Sequence, residues 1–291
     1  MAGLVDYAGL FPPAAEEMRR ALENYATYVA SSDASALGRF IVPVGRLEEM
    51  EREAVGLLPV LAAEGWRLSA LIGDDVPAAI DKIQAFNRRH SSGSDTGQAV
   101  IDVVELKAST VDAIAALQGV IPPSLTSYIE IPVSGDIDAL LSAIGGIGAR
   151  AKIRTGGVTP DAFPSARAVI DFIVACQRAR VPFKATAGLH HPLRGQYRLS
   201  YEPNSPKGMM YGYLNVFLAA ALLDAGEDPD VALAALEDSD PGSFAFADDA
   251  IQWKGRRLSR RQLLNARRFA ISFGSCSFRE PIDELAQLTR G

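Results

Sequence analysis

Cysteine and histidine are scarce in this chain, with two of the first and three of the second in 291 residues. Neither Cys176 nor Cys276 has a Cys-x-x-Cys partner, so neither a disulfide framework nor a zinc site is expected. Cys176 lies in the apolar pattern "AVIDFIVACQRA" and reads as a small core residue; Cys276 lies in a Gly/Ser turn. Long apolar runs are missing too. None approaches the roughly 18 residues of a membrane span. The first residues, "MAGLVDYAGLFPP", lack the basic region and apolar run of a signal peptide. A cytoplasmic protein with no membrane partner is the expectation. No Gly-x-Gly-x-x-Gly or Gly-x4-Gly-Lys-[Ser/Thr] appears to support a nucleotide fold. Excess positive charge is also lacking. The net charge of −6 argues against a nucleic-acid partner. The basic cluster "KGRRLSRRQLLNARR" (254–268) reads as a solvated helix face.

What is present is a rhythm. Short apolar runs read as strands at 4–9, 39–44, 67–73, 100–106, 127–133, 150–156, 182–188 and 243–248. Helix-like spacing fills 14–30, 76–89, 136–144, 165–180 and 209–224, with Asp136 and Ser165 placed as N-caps. Most strands are continuously apolar, as parallel strands covered on both faces are. Eight such units predict an α/β fold, a (βα)8 TIM barrel forming one domain over 1–291. A doubly wound open sheet is the competing arrangement. Two stretches break the rhythm, "SSGSDTG" (91–97) and "HPLRGQYRLSYEPNSPKG" (191–208). The second follows the seventh strand and reads as a lid or specificity loop, with Asn204, Lys207 and Tyr211 as contacts. A small C-terminal extension is expected: a hairpin at "DAIQWKGRRLS", then helices near 260–270 and 280–289.

Charge sits where barrel strands end, and barrel active sites lie at those ends. Asp6 is on the first strand, Asp102 and Glu105 on the fourth, and Glu130 on the fifth. "AKIRTGG" carries Lys152 and Arg154 on the sixth, and "FKATAGLHH" carries Lys184 and Thr186 on the seventh. Side chains alternate faces along a strand, so Lys152 and Arg154 share one face, and Lys184 and Thr186 another. If both faces point inward, two lysines approach one another. Neighbouring ammonium groups lower at least one lysine pKa, and a neutral lysine attacks carbonyl carbon. The structural alternative pairs Lys152 with Glu130 and turns Lys184 outward. Parity also divides the fourth strand: on a regular strand Asp102 and Glu105 cannot both face inward.

These segments, with "LVDYAGLFPPAA" (4–15) and "VIDVVEL" (100–106), resemble class I, Schiff-base aldolases of the deoxyribose-phosphate aldolase type. The resemblance covers strands one, four, six and seven. It implies Lys152 as nucleophile, Lys184 as its electrostatic partner and Asp102 as the proton-transfer group, with Glu105 and Glu130 as rivals for that role. The expected eighth strand, "SFAFAD", carries acid where the family has a Gly/Ser phosphate loop. His190 and His191 stand at the mouth as acid/base groups or substrate contacts. Arg154 and Arg194 suit a substrate carboxylate, and Asp6 and Thr186 complete the substrate-binding set. His90, at a helix end, reads as a solvated cation.

The expectation is a lyase or aldolase acting on a small polar carbonyl compound, without a cofactor and with a homo-oligomer possible. Two alternatives stand beside it. One is a divalent-metal lyase or isomerase using Glu105, Glu130 and a histidine. The other is a non-catalytic barrel that binds a small anion.

Overall fold

A computed structural model describes residues 2–60, 65–91 and 95–289. β1 (Val5–Tyr7), α1 (Met18–Val29), β2 (Leu37–Pro43), α2 (Leu47–Glu53), β3 (Trp66–Leu71) and α3 (Val76–Arg89) begin the alternation. β4 (Ala99–Lys107), α4 (Val111–Ala115), β5 (Thr126–Glu130), α5 (Ile137–Gly146), β6 (Arg150–Arg154) and α6 (Ala166–Ala179) carry it to β7 (Phe183–Thr186). A hairpin follows, β8 (Gly195–Arg198) and β9 (Lys207–Met210), then α7 (Tyr213–Asp224) and α8 (Pro229–Glu237). An antiparallel sheet comes next, β10 (Phe244–Ala247), β11 (Ala250–Trp253) and β12 (Arg256–Ser259). α9 (Arg260–Ala266), β13 (Ala270–Ser275) and α10 (Arg279–Leu288) end the chain.

The barrel closes in the order β1-β13-β7-β6-β5-β4-β3-β2, every pair parallel. This is the (βα)8 TIM barrel. The expected caps are made: Asp136 accepts from Ala139 N–H and Ser165 from Ala168 N–H. The apolar stripe of each amphipathic helix packs on the outward faces of the strands, where Phe40, Leu68, Ile101, Ile129, Ile153 and Ala185 form the core with Ile83, Ile144 and Phe172.

The eighth strand is not the run expected. "SFAFAD" opens the antiparallel sheet, and "AISFGS" (270–275) closes the barrel. Both runs are apolar and strand-long, but only the second pairs with β1 and β7. The expected hairpin at "DAIQWKGRRLS" exists as β11 and β12. It and α9 therefore form an insertion ahead of the last barrel strand, and α10 is the helix of the eighth βα unit, so the expected C-terminal extension lies inside the barrel's own chain. α7 is buried almost all round because it lies between two cores. Val216 and Ala219 face the barrel, while Leu218 and Leu222 pack with Trp253 and Leu258 of the insertion.

The long loop after β7 is shorter as a loop than it looked, since β8 and β9 pair within it. The arginines of 254–268 are not a single solvated face. Arg256 pairs with Glu227 and Arg257 with Asp249, while Arg267 donates to the carbonyls of Ala270 and Ile271. His90 is buried, held between the Gly97 carbonyl at 2.9 Å and Glu51 at 3.0 Å. Residues 92–94 of the "SSGSDTG" link lie outside the described residues. No described helix is long and apolar enough to cross a membrane.

Candidate active site

Strand register brings the charged side chains together. Glu130 sits beside Lys152 and Lys152 beside Lys184 across β5, β6 and β7. The two lysines are neighbours, as expected if both faces point inward, and Lys152 also makes the Glu130 pair of the structural alternative. Glu105 stands between them. Its Oε1 accepts from Lys184 Nζ at 2.7 Å and from Ser69 Oγ at 2.6 Å, and its Oε2 faces Lys152 Nζ at 2.9 Å. The approach to Lys152 lacks hydrogen-bond alignment, so Oε2 is a buried oxygen held by charge alone. Lys152 also meets Glu130 Oε2 at 3.0 Å, and Arg154 donates to Glu130 Oε1 at 3.2 Å. On the other side Lys184 donates to Asp6 Oδ2 at 2.6 Å, where Ser272 Oγ donates at 2.8 Å. Asp6 Oδ1 accepts from the Arg39 amide. Gly38 makes room for this: a Cβ there would lie 2.2 Å from Asp6 Oδ1.

Burial and charge oppose each other throughout the cluster. Burial pushes the Glu105 carboxyl up, but the Lys152 and Lys184 ammonium groups outweigh it and hold the group well below the usual carboxylate range. Glu130 is likewise held low, by Lys152 and Arg154 against burial. Burial pushes Lys184 down; Asp6 and Glu105 more than reverse this and hold it well above the ordinary lysine value. Lys184 is therefore a fixed cation inside the barrel. Asp6, Glu105 and Glu130 are matched by Lys152, Lys184 and Arg154, and such mutual pairing lets the charges remain buried.

A cavity of about 260 Å³ opens above this layer at the C-terminal ends of the strands. Lys152 and Glu105 lie on its floor, while Lys184 lies behind it. Phe11, Pro12, Ile41 and Leu71 form an apolar wall; Arg154, Thr186, His190 and Cys276 form the polar rim. Gly188, at φ +72°, passes so close to the loop after β6 that a Cβ would lie 2.8 Å from Phe163. His190 is buried, with Nδ1 3.6 Å from Cys276 Sγ. Burial, and then His191 beside it, push the His190 pKa down to about 4, so the ring is neutral at pH 7. Burial pushes the Cys276 thiol up to about 11. Cys276 is thus a buried rim residue at the bend that follows β13, in the Gly/Ser stretch expected.

The remaining expected residues lie elsewhere. β4 bulges between Ile101 and Val103, with Asp102 as the extra residue. The bulge resolves the parity conflict. Glu105 takes the cavity floor, and Asp102 sits near the start of β4, gripped by Arg39 at 2.5 Å and Arg67 at 2.5 Å. His191 turns to Glu284 on α10. Arg194 donates to the Glu237 carbonyl, beside the insertion. Ser69, Ser272 and Cys276 carried no sequence signal. Ser272 and Cys276 lie on or just after a strand that the apolar pattern had not identified, and a serine within "RLSALIG" is ordinary. Comparison with known proteins finds no family that matches this sequence, and no curated protein that matches it.

Proposed function

We propose that the protein is an aldolase-like lyase that acts on a small polar carbonyl compound through a Schiff base on Lys152. One observation carries this reading: of the two neighbouring lysines, Lys152 lines the cavity, and Lys184 is locked behind it between Asp6 and Glu105. The reacting amine must reach a substrate, and Lys152 alone of the pair does.

The charge pattern suits the chemistry. To attack, Lys152 gives up a proton to solvent at the cavity floor; Glu105, held ionised 2.9 Å away, is a counter-charge and not the acceptor. The free amine adds to the carbonyl carbon, and the carbinolamine takes up a proton and loses water to give an iminium. That iminium restores the positive charge between Glu105 and Glu130, so the same carboxylates that held the ammonium stabilise the intermediate. A base takes the proton of the substrate's β-hydroxyl, the bond between its α and β carbons breaks to release an aldehyde, and the bonding pair passes to the iminium to leave an enamine. Protonation of the enamine carbon and hydrolysis then return the amine. His190, neutral and on the cavity rim, is placed to carry protons at the substrate oxygen. Arg154 presents a half-exposed guanidinium for a substrate anion.

This reading goes with the resemblance to Schiff-base aldolases on the sixth and seventh strands. The acid of "SFAFAD" no longer counts against that resemblance, because the barrel's eighth strand ends in Gly274 and Ser275. The metal alternative at Glu105 and Glu130 is weaker, since both carboxylates already pair with lysine.

Borohydride trapping tests the proposal. The protein is incubated with a panel of small aldehydes and keto acids, reduced and peptide-mapped by mass spectrometry. A reduced adduct on Lys152 is expected. An adduct on Lys184 reverses the lysine roles, and no adduct at either lysine across the panel removes the Schiff-base reading.

A further inference from the structure

Outside the cavity, α10 carries Glu280 and Glu284 one turn apart on one face, toward His191 after β7. One ligand atom from each of the three lies within 4.8 Å of the others. Both Glu284 carboxylate oxygens stand 2.9 Å from His191 Nδ1. Tyr197 stacks on the His191 ring, with centroids 3.5 Å apart and planes 14° apart. The Tyr201 hydroxyl donates to Glu280 Oε2 at 3.0 Å. Imidazole and carboxylates are thus oriented by groups around them, as metal ligands are.

A second observation is independent of that geometry. Glu280 and Glu284 are half-buried, and among the described residues neither has a lysine or arginine within ion-pairing distance. Their ion-pair partners are His190 and His191 alone among the described residues. Arg279, on the same helix, is turned away to Asp33 and Asp283. Every carboxylate of the barrel cluster is matched by a lysine or arginine, and among the described residues this pair is not. A partly buried pair of carboxylates without a cation is costly, and a dication at the centre of the cluster removes that cost.

We propose that His191, Glu280 and Glu284 bind one divalent cation of the zinc or manganese class. One imidazole nitrogen and two carboxylate oxygens are a donor set for borderline dications, with room for water at the remaining positions. Entry of the metal replaces the direct contact between His191 Nδ1 and Glu284. The ion ties α10 to the chain after β7 and, through Tyr201, to the β8–β9 hairpin, whose Tyr201 also meets Cys276 on the cavity rim. It braces the wall that holds His190 and takes no part in the proposed Schiff-base chemistry, so the two readings stand or fall separately.

Full-length protein, stripped with chelator and dialysed, is titrated calorimetrically with ZnCl2 and separately with MnCl2. One equivalent is expected to bind with a dissociation constant in or below the micromolar range. Glu284→Gln and Glu280→Gln should each weaken binding about tenfold or more. Asp283→Asn, a carboxylate on the same helix but outside the cluster, should bind like wild type. Circular dichroism of the metal-free variants checks that they fold. Wild type that takes up neither metal below about 100 μM overturns the proposal, whatever the variants do. So does one-equivalent uptake that survives both glutamine substitutions.

Discussion

Lys184 Nζ donates to Asp6 and Glu105 from a position only 1% exposed, so its loss strands two buried carboxylates. Lys184→Met is expected to cost about 3–5 kcal/mol, the usual penalty for breaking a buried pair from one side. Lys152→Met should cost less, because Glu130 keeps Arg154 and the cavity admits water to the floor. It should nevertheless abolish borohydride trapping. Urea unfolding of both variants gives the comparison, and a Lys152 variant less stable than the Lys184 variant contradicts the assignment of roles. Asp102 provides a different test. Its carboxylate is tied to Arg39 and Arg67 near the start of β4, away from the cavity floor. Asp102→Asn should therefore lower stability by about 1–3 kcal/mol and leave the trapping rate at Lys152 close to wild type. A trapping rate reduced by orders of magnitude in a folded Asp102→Asn protein would give the proton-transfer role back to Asp102.

Strand-to-strand fit decides whether the charged layer assembles. β1 and β2 can bring Asp6 to Lys184 only because Gly38 leaves space beside the carboxylate. In Gly38→Ala the added methyl would lie 2.2 Å from Asp6 Oδ1, so Asp6 must move. We expect a loss of about 1–3 kcal/mol from overpacking, together with slower trapping at Lys152 as the Asp6–Lys184–Glu105 chain loosens. Unfolding and trapping kinetics on the same preparation check both, and a variant as stable and as reactive as wild type refutes the account. The β4 bulge acts at the same scale. One extra residue lets a strand put Asp102 near the barrel's N-terminal mouth and Glu105 in the reacting layer. Alternation alone forbids that pairing, and nothing in "VIDVVEL" marks the bulge.

For the whole molecule, buried titratable groups make stability depend on pH. His190 has a folded pKa of about 4 against an ordinary 6.5, because burial and then the neighbouring His191 disfavour the charged ring more than Glu280, 3.6 Å from Nδ1, favours it; Cys276 Sγ also faces Nδ1 at 3.6 Å. Below pH 6.5 the unfolded chain takes up a proton at His190 that the folded chain refuses. Stability therefore falls as pH drops from 6.5 towards 4, by on the order of 3 kcal/mol from this residue. Glu105, Glu130 and Asp102 act in the same sense, because the folded chain again binds their protons less readily than the unfolded chain. Their folded pKa values are depressed, so their contribution is complete above the unfolded carboxylate pKa and is lost below about pH 4. Urea midpoints measured from pH 7.5 to 4.5 should decline, and His190→Asn should flatten that decline. An unchanged slope in a folded variant would mean that the ring is not held neutral.

Local pattern was enough for seven of the eight barrel strands, the capped helices and the two lysines that came to lie side by side. Apolar periodicity, caps and alternating faces are properties of a few consecutive residues, and they survive without knowledge of the partners. Which apolar run closes the barrel was not of that kind. "SFAFAD" and "AISFGS" are equivalent as isolated segments, and pairing with β1 and β7 chose between them. The role of each charge was likewise decided in three dimensions. Glu105 lies 79 positions from Lys184, and Asp6 lies 178, so only strand register could make one lysine a locked cation and leave the other facing the cavity. Burial in that register gives those charges their strength, since a carboxylate excluded from water must find its cation wherever the fold brings one.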